Sequence, residues 1–169
     1  GTRLDARQTE QTLRQRYTSD FIQQWRDFLK TGTVVRYTNI KDASQKLTAI
    51  SGNQSPLLAL FWTVSQNTGV QSPEIQAAFQ PVQFVLPPDS VDRYITDKNT
   101  PYVNALVTLQ AQLEQLANGS GSPNEALTGQ AASAALQAKV VTRQLAQNFK
   151  IDNDGHLESV TQKLMEDPI

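Results

Sequence analysis

Cysteine is absent from this 169-residue sequence, and histidine occurs once, at His156. Without thiols there is no disulfide scaffold, no thiolate metal site and no cysteine nucleophile. With a single histidine, any Ser–His–Asp arrangement must rest on that one residue. Neither sign of charge dominates: Lys and Arg total 15, Asp and Glu total 16, for a net charge of −1. A nucleic-acid-binding chain carries a basic patch or stripe, and neither the total nor any local run supplies one. Long apolar runs are lacking as well. The longest lies around Leu57 to Trp62, far short of the roughly 20 residues needed to span a bilayer. No signal-peptide pattern is present. The sequence opens Gly1-Thr2 and closes Asp167-Pro168-Ile169. Gly1 reads as an expression scar, and both ends read as boundaries inside a longer protein.

Gln, Ala and Leu, all good helix formers, are plentiful. A chain of this length fits one domain or one compact two-lobed unit and can bury a core without disulfides or metals. The first helix is expected from about Asp5 to Lys30. Leu13, Tyr17, Phe21, Trp25 and Phe28 recur at spacings of four and three, so they share a face. Ile22 and Leu29 widen that stripe, while Arg14, Arg16, Gln23, Gln24 and Arg26 fall largely elsewhere. Gly32 is expected to stop the helix as a left-handed C-terminal residue. After an extended Val34-Val35-Arg36-Tyr37, Asn39 can cap a second helix, with Asp42 in its first turn. Gly52 ends that helix. Ser55-Pro56 starts a third, closed by Gly69, and Ser72-Pro73 starts a fourth. Pro81 interrupts the fourth helix or begins a new turn. Val82 to Leu86 could be helix or strand.

Thr100-Pro101 opens a helix with apolar positions Val103, Leu106, Leu109, Leu113 and Leu116. Asn118 to Ser122 reads as a flexible loop. Ser122-Pro123 begins a long helix to about Phe149, with Leu127, Ala131, Ala135, Leu136, Val140 and Leu145 on its stripe. These two helices read as an antiparallel hairpin. The turn Asp152-Asn153-Asp154-Gly155 precedes a last helix with Leu157, Val160 and Leu164. The expected fold is therefore all-α: a bundle of about seven helices with little or no sheet. Residues 1–86 make an N-terminal helical lobe, 87–99 an irregular connection, and 100–169 a C-terminal helical lobe with the hairpin. The expected core contains Phe21, Trp25, Phe28, Leu47, Leu58, Phe61, Leu106, Leu109, Leu136 and Leu145.

Chemistry is sparse. His156 follows a surface turn at a helix start, which suits a solvated or capping role. Asp152 to Gly155 resembles the middle of an EF-hand loop. Aligning Gly155 with the loop glycine puts Lys150 at the first ligand position and Thr161 where a bidentate Glu is required. Two needed carboxylates are missing, so no calcium is expected there. Gly119 to Ser122 lacks the Gly-Lys-Ser/Thr of a P-loop. Asn118-Gly119-Ser120 fits a glycosylation sequon by a pattern too short to weigh. Two carboxylates alone can hydrolyse glycosides, but Asp20, Asp27, Glu158 and Glu166 each lie among polar residues and helical charge partners. No residue is assigned a catalytic, cofactor-binding or metal-ligating role, no cofactor is expected, and the chain is read as a non-enzyme.

Three stretches carry a resemblance. Tyr17-Thr18-Ser19-Asp20-Phe21-Ile22-Gln23-Gln24-Trp25-Arg26-Asp27-Phe28-Leu29 resembles the tyrosine–tryptophan helix of IcmF/TssM proteins. Leu47-Thr48-Ala49-Ile50-Ser51-Gly52, followed by Ser55-Pro56-Leu57-Leu58, is similar to the same family. So is Tyr102 to Gln110, with the later Asn148-Phe149 turn and the ending Leu164 to Ile169. Their joint order and spacing carry the likeness, and Gln71 to Asn99 matches most weakly.

The resemblance implies the periplasmic portion of an inner-membrane protein of the type VI secretion system. Such proteins assemble with a smaller inner-membrane partner and an outer-membrane lipoprotein into a membrane complex. Expected partners are those proteins, including copies of this one, and no nucleic acid; the parent is membrane-anchored and this portion soluble. The family's nucleotide-binding motifs are not in this chain, and its lipoprotein-binding β-rich domain is expected to follow it. Two other readings stay open: a generic helical scaffold or ligand-sensing module, and a small carboxylate-dependent hydrolase. A hydrolase should show a deep polar cleft with converging acids, and a sensor an internal ligand-sized cavity.

Overall fold

The computed structural model describes residues 2–119 and 124–169. Those residues form seven helices and no strand: α1 (Thr2–Lys30), α2 (Ile40–Ile50), α3 (Pro56–Thr68), α4 (Pro73–Val85), α5 (Thr100–Asn118), α6 (Glu125–Ala146) and α7 (Leu157–Glu166). The fold is all-α. Gly1, most of the Asn118 to Ser122 loop and the Ser122-Pro123 helix start lie outside the described residues.

Local chemistry sets the helix ends. Asn39 Oδ1 accepts from the Asp42 amide at 2.8 Å, and Asp42 Oδ2 accepts in return from the Thr38 amide at 2.9 Å. The first bond satisfies a donor the first turn of α2 leaves open, and the second ties the residue before the cap to that turn. Ser55, fully buried, accepts from the Leu58 amide at 3.2 Å, with Pro56 inside the first turn of α3. Asn124 accepts from the Leu127 amide at 3.1 Å and is the cap of α6.

Two helix boundaries depart from expectation. α4 runs unbroken through Pro81 to Val85, so Val82 to Val85 is helix rather than strand. Pro81 forfeits one backbone hydrogen bond, and its ring is buried, as are Phe79 and Val82 near it in the sequence. Gly32 does not adopt the left-handed conformation expected of it. A Cβ there would lie 2.6 Å from Leu60 Cδ2, the tip of a side chain on α3.

One connected core draws on all seven helices, centred on Leu29, Leu47, Leu58, Phe61, Phe79, Leu106, Leu157 and Met165. α5 packs against both α2 and α6, and α3 against α4. Eight of the ten expected core residues belong to this core or pack on it: Phe21 and Trp25 half-buried, and Leu47, Leu58, Phe61, Leu106, Leu109 and Leu145 buried. Phe28, 41% exposed, and Leu136, 66% exposed, do not belong to it.

The reason is a rotation of each helix. In α1 the buried positions are Ile22 and Leu29, with Trp25 and Arg26 half-buried between them. The inward face is centred about one residue away from the expected stripe, roughly 100° around the helix, which moves Phe28 to its edge. Leu13 and Tyr17 face solvent because the first half of α1 packs on nothing in the domain. In α6 the buried positions are Ala131, Ala138, Thr142 and Leu145. Small side chains let α6 lie close to α5, and that choice of face turns Leu136 and Val140 outward.

The irregular connection 87–99 is tied down by side chains. Ser65 Oγ donates to Leu86 O at 2.6 Å, Gln66 Nε2 to Pro88 O at 2.8 Å, and Trp62 Nε1 to Ser90 O at 3.2 Å. Asn99 is fully buried. Its Nδ2 donates to Val85 O at 3.0 Å and Tyr94 O at 2.8 Å, and its Oδ1 accepts from the Thr96 amide at 3.0 Å. The last residues are held in the same manner. Tyr102 Oη donates to Met165 O and Tyr37 Oη to Pro168 O, each at 2.7 Å.

Candidate functional site

The acidic turn before α7 is a clasp for α1. Asp152 is buried, and its carboxylate receives Arg26 in a two-pronged arrangement: Nε donates to Oδ2 at 3.0 Å and Nη2 donates to Oδ1. The Arg26 and Asp152 side chains are only 11% and 5% exposed. Sequence position placed Arg26 on a face away from the core, whereas it reaches across 126 residues of chain to this turn. The Asp152 amide donates to Glu158 Oε2 at 2.8 Å, and the Leu157 amide points at Asp152 Oδ2 at 3.4 Å. Gly155 lies under the guanidinium, where a Cβ would collide with Arg26 Nε and sit 2.6 Å from Asp152 Oδ2. At the two outer positions of the EF-hand alignment, Lys150 is exposed and its amide donates to Gln80 Oε1 at 2.7 Å, while Thr161 is fully buried.

His156 occupies the N-cap of α7 in the left-handed region, with φ of 52° and no capping bond from its side chain. Its exposed ring places Nδ1 3.3 Å from Glu158 Oε1. Asp20 and Asp27 are on the outer face of α1, the latter accepting from Gln23 Nε2 at 2.8 Å. Glu166 accepts from Gln162 Nε2 at 3.1 Å and lies 3.4 Å from Arg143 Nε. The four carboxylates weighed as a hydrolytic pair are thus dispersed over α1 and the two ends of α7. Among the described residues no group of three or more His, Asp or Glu is placed to hold a metal ion, and no helix is long and apolar enough to cross a membrane.

Two surface grooves share one stretch of chain in their lining. Residues 32–37 run without helix, turn or bend between α1 and α2. One groove, of about 850 Å³, is lined by Lys30, Arg36, Val160, Lys163, Leu164 and Ile169 together with this stretch. The other, of about 390 Å³, is lined also by Ala49, Ile50, Pro56, Leu57 and Leu60. At the far end of the stretch, burial pushes the Tyr37 phenol up to about 12, with the nearby Asp42 carboxylate adding to the effect. Asp42 is itself held below the usual carboxylate range by the Lys46 ammonium at 2.8 Å and by the Thr38 amide. Burial likewise pushes the Tyr102 phenol up.

Residues 2–69 match the IcmF-related family, described as intracellular multiplication and human macrophage-killing. No curated protein and no solved structure matches the chain. The IcmF-related match takes in α1, α2 and α3 and ends at Gly69, directly after α3. Two of the three resembling stretches, Tyr17 to Leu29 and Leu47 to Leu58, fall inside it, and the stretch beginning at Tyr102 falls outside. Within the matched part, Trp25 and Phe28 pack edge to face with ring centres 5.4 Å apart, and Tyr17 lies obliquely against Phe21 at 6.4 Å. The part also contains Arg26, Gly32 and the whole of residues 32–37, so both the clasp and the grooves draw on it.

Proposed function

We propose that the chain is a structural, non-catalytic helical segment of the periplasmic domain of a type VI secretion membrane-complex protein of the IcmF/TssM family. It holds neighbouring parts of that protein at fixed separation and offers side surfaces to other components of the complex, including further copies of itself. The observation that carries this reading is the IcmF-related match over α1 to α3. The architecture supports a rigid role. α1, at 29 residues, extends about 44 Å. Its second half is fixed to the body by Leu29 in the core and by the Arg26–Asp152 clasp. The first half stands clear of the domain with Leu4, Leu13 and Tyr17 exposed, which gives the segment a projecting arm.

The absence of cysteine makes a direct test practical. Leu136, exposed on α6, is replaced by Cys in the full-length parent, and intact cells with a permeable outer membrane are treated with a membrane-impermeant maleimide. The reading requires labelling above that of the unsubstituted parent while the inner membrane is intact. Labelling that appears only after the inner membrane is lysed contradicts it.

A further inference from the structure

Residues 32–37 are unlike the rest of the described chain. The amides of Thr33, Val34, Val35, Arg36 and Tyr37 donate to no group within the described residues. Of the carbonyls in this stretch, only that of Arg36 accepts, from Lys46 Nζ at 3.2 Å. A straight run of unpaired backbone donors and acceptors is the template on which an added strand forms. It is also shaped to receive one. The grooves of about 850 and 390 Å³ adjoin it, with Leu164 and Val34 lining both, so side chains of an added strand have apolar surface to cover. Val35 is 67% exposed, an apolar residue with nothing of its own chain over it.

Charge indicates the occupant. Lys163 is paired with Asp167 at 2.7 Å and Lys46 with Asp42 at 2.8 Å. Lys30 and Arg36, both exposed and lining the larger groove, make no ion pair among the described residues. A second copy is a poor fit. The described residues hold no other unpaired straight segment, so a copy would pair through its own 32–37 and bring four unpaired cations together. We propose that residues 32–37 are a docking edge for β-strand addition by an extended, acidic segment of a different protein. Its backbone pairs with Val34 to Arg36, its alternate side chains enter the grooves, and its carboxylates meet Lys30 and Arg36. The inference stands independently of the compartment in which the protein works.

The test uses the whole chain and a fluorescent peptide of alternating valine and threonine with glutamate at both ends. Binding is followed by anisotropy and self-association by sedimentation. Saturable binding is expected. It should fall at least tenfold in Val35→Pro, which removes an amide donor at an exposed position, and stay close to the original in Val35→Thr. Charge reversal by Lys30→Glu with Arg36→Glu should weaken it comparably, and added salt should weaken it in the original chain. Helical circular dichroism identifies any variant that has lost its fold, and the charge-reversed chain, changed only at exposed positions, carries the test if Val35→Pro unfolds. Absence of binding, or binding indifferent to both changes, overturns the proposal. So does self-association through this edge, abolished by Val35→Pro, in place of peptide binding.

Discussion

Arg26 and Asp152 form a charge pair almost withdrawn from water, with side chains 11% and 5% exposed. Such a pair adds little over an apolar substitute, but losing one partner strands the other charge in the interior. Arg26→Ala is expected to cost about 3–5 kcal/mol in urea unfolding, while replacing both partners by apolar residues costs less than the single change. A double loss equal to the sum of the two single losses would show that the residues act separately. Gly155→Ala tests the same clasp sterically. An added methyl meets the guanidinium and the Asp152 carboxylate, so a loss of about 1–3 kcal/mol is expected from overpacking. A neutral Gly155→Ala would mean that Arg26 does not lie over the turn. Tyr37 sets a pH dependence. Its phenol titrates near 10.0 when unfolded and about 12 when folded. Between those values the unfolded chain has released a proton that the folded chain keeps, so stability present below pH 10 declines as pH rises toward 12. Tyr37→Phe should remove part of that decline, and an unchanged slope would refute the assignment.

Among the elements, what could be read from sequence was local and what could not was the identity of the neighbour. The Asn39 and Ser55 caps and the prolines of α3, α4 and α5 act within a turn of their own positions, so sequence places those helix starts closely. Periodicity reveals which residues share a face, not which of two adjacent faces meets another helix. Phe28 and Leu136 fall outside the core for that reason: the core takes α1 through Ile22 and Leu29, and α6 through Ala131, Ala138, Thr142 and Leu145. Arg26 carried no local signal at all, since its partner is 126 residues away, and Lys30 and Arg36 become a groove lining only once α7 is folded beside them. The faces can be separated by stability. Leu29→Ala is expected to cost about 2–5 kcal/mol, and Leu13→Ala within about 0.5 kcal/mol. On α6, Leu136→Ala should be similarly mild, whereas Ala138→Leu, at a position with no exposure, should cost about 1–3 kcal/mol. Comparable losses for Leu13 and Leu29 would show that the whole of α1 packs in the domain.

At the scale of the molecule, the core and the hydrogen-bonded connection act together. Asn99 joins the end of α4 to the start of α5, and the tyrosines of the 32–37 stretch and of α5 hold the final residues to the body. A body tied in this way suits the proposed spacer role, which needs its two ends held at a fixed separation. The measurement that bears most directly on this role replaces residues 2–169 of the full-length parent by a flexible glycine–serine linker able to span the same ends. Assembly of the membrane complex and secretion are then followed in cells. A spacer role requires that the linker protein reach the membrane at normal abundance yet fail to support assembly and secretion. Full secretion through an assembled complex carrying the linker would contradict it.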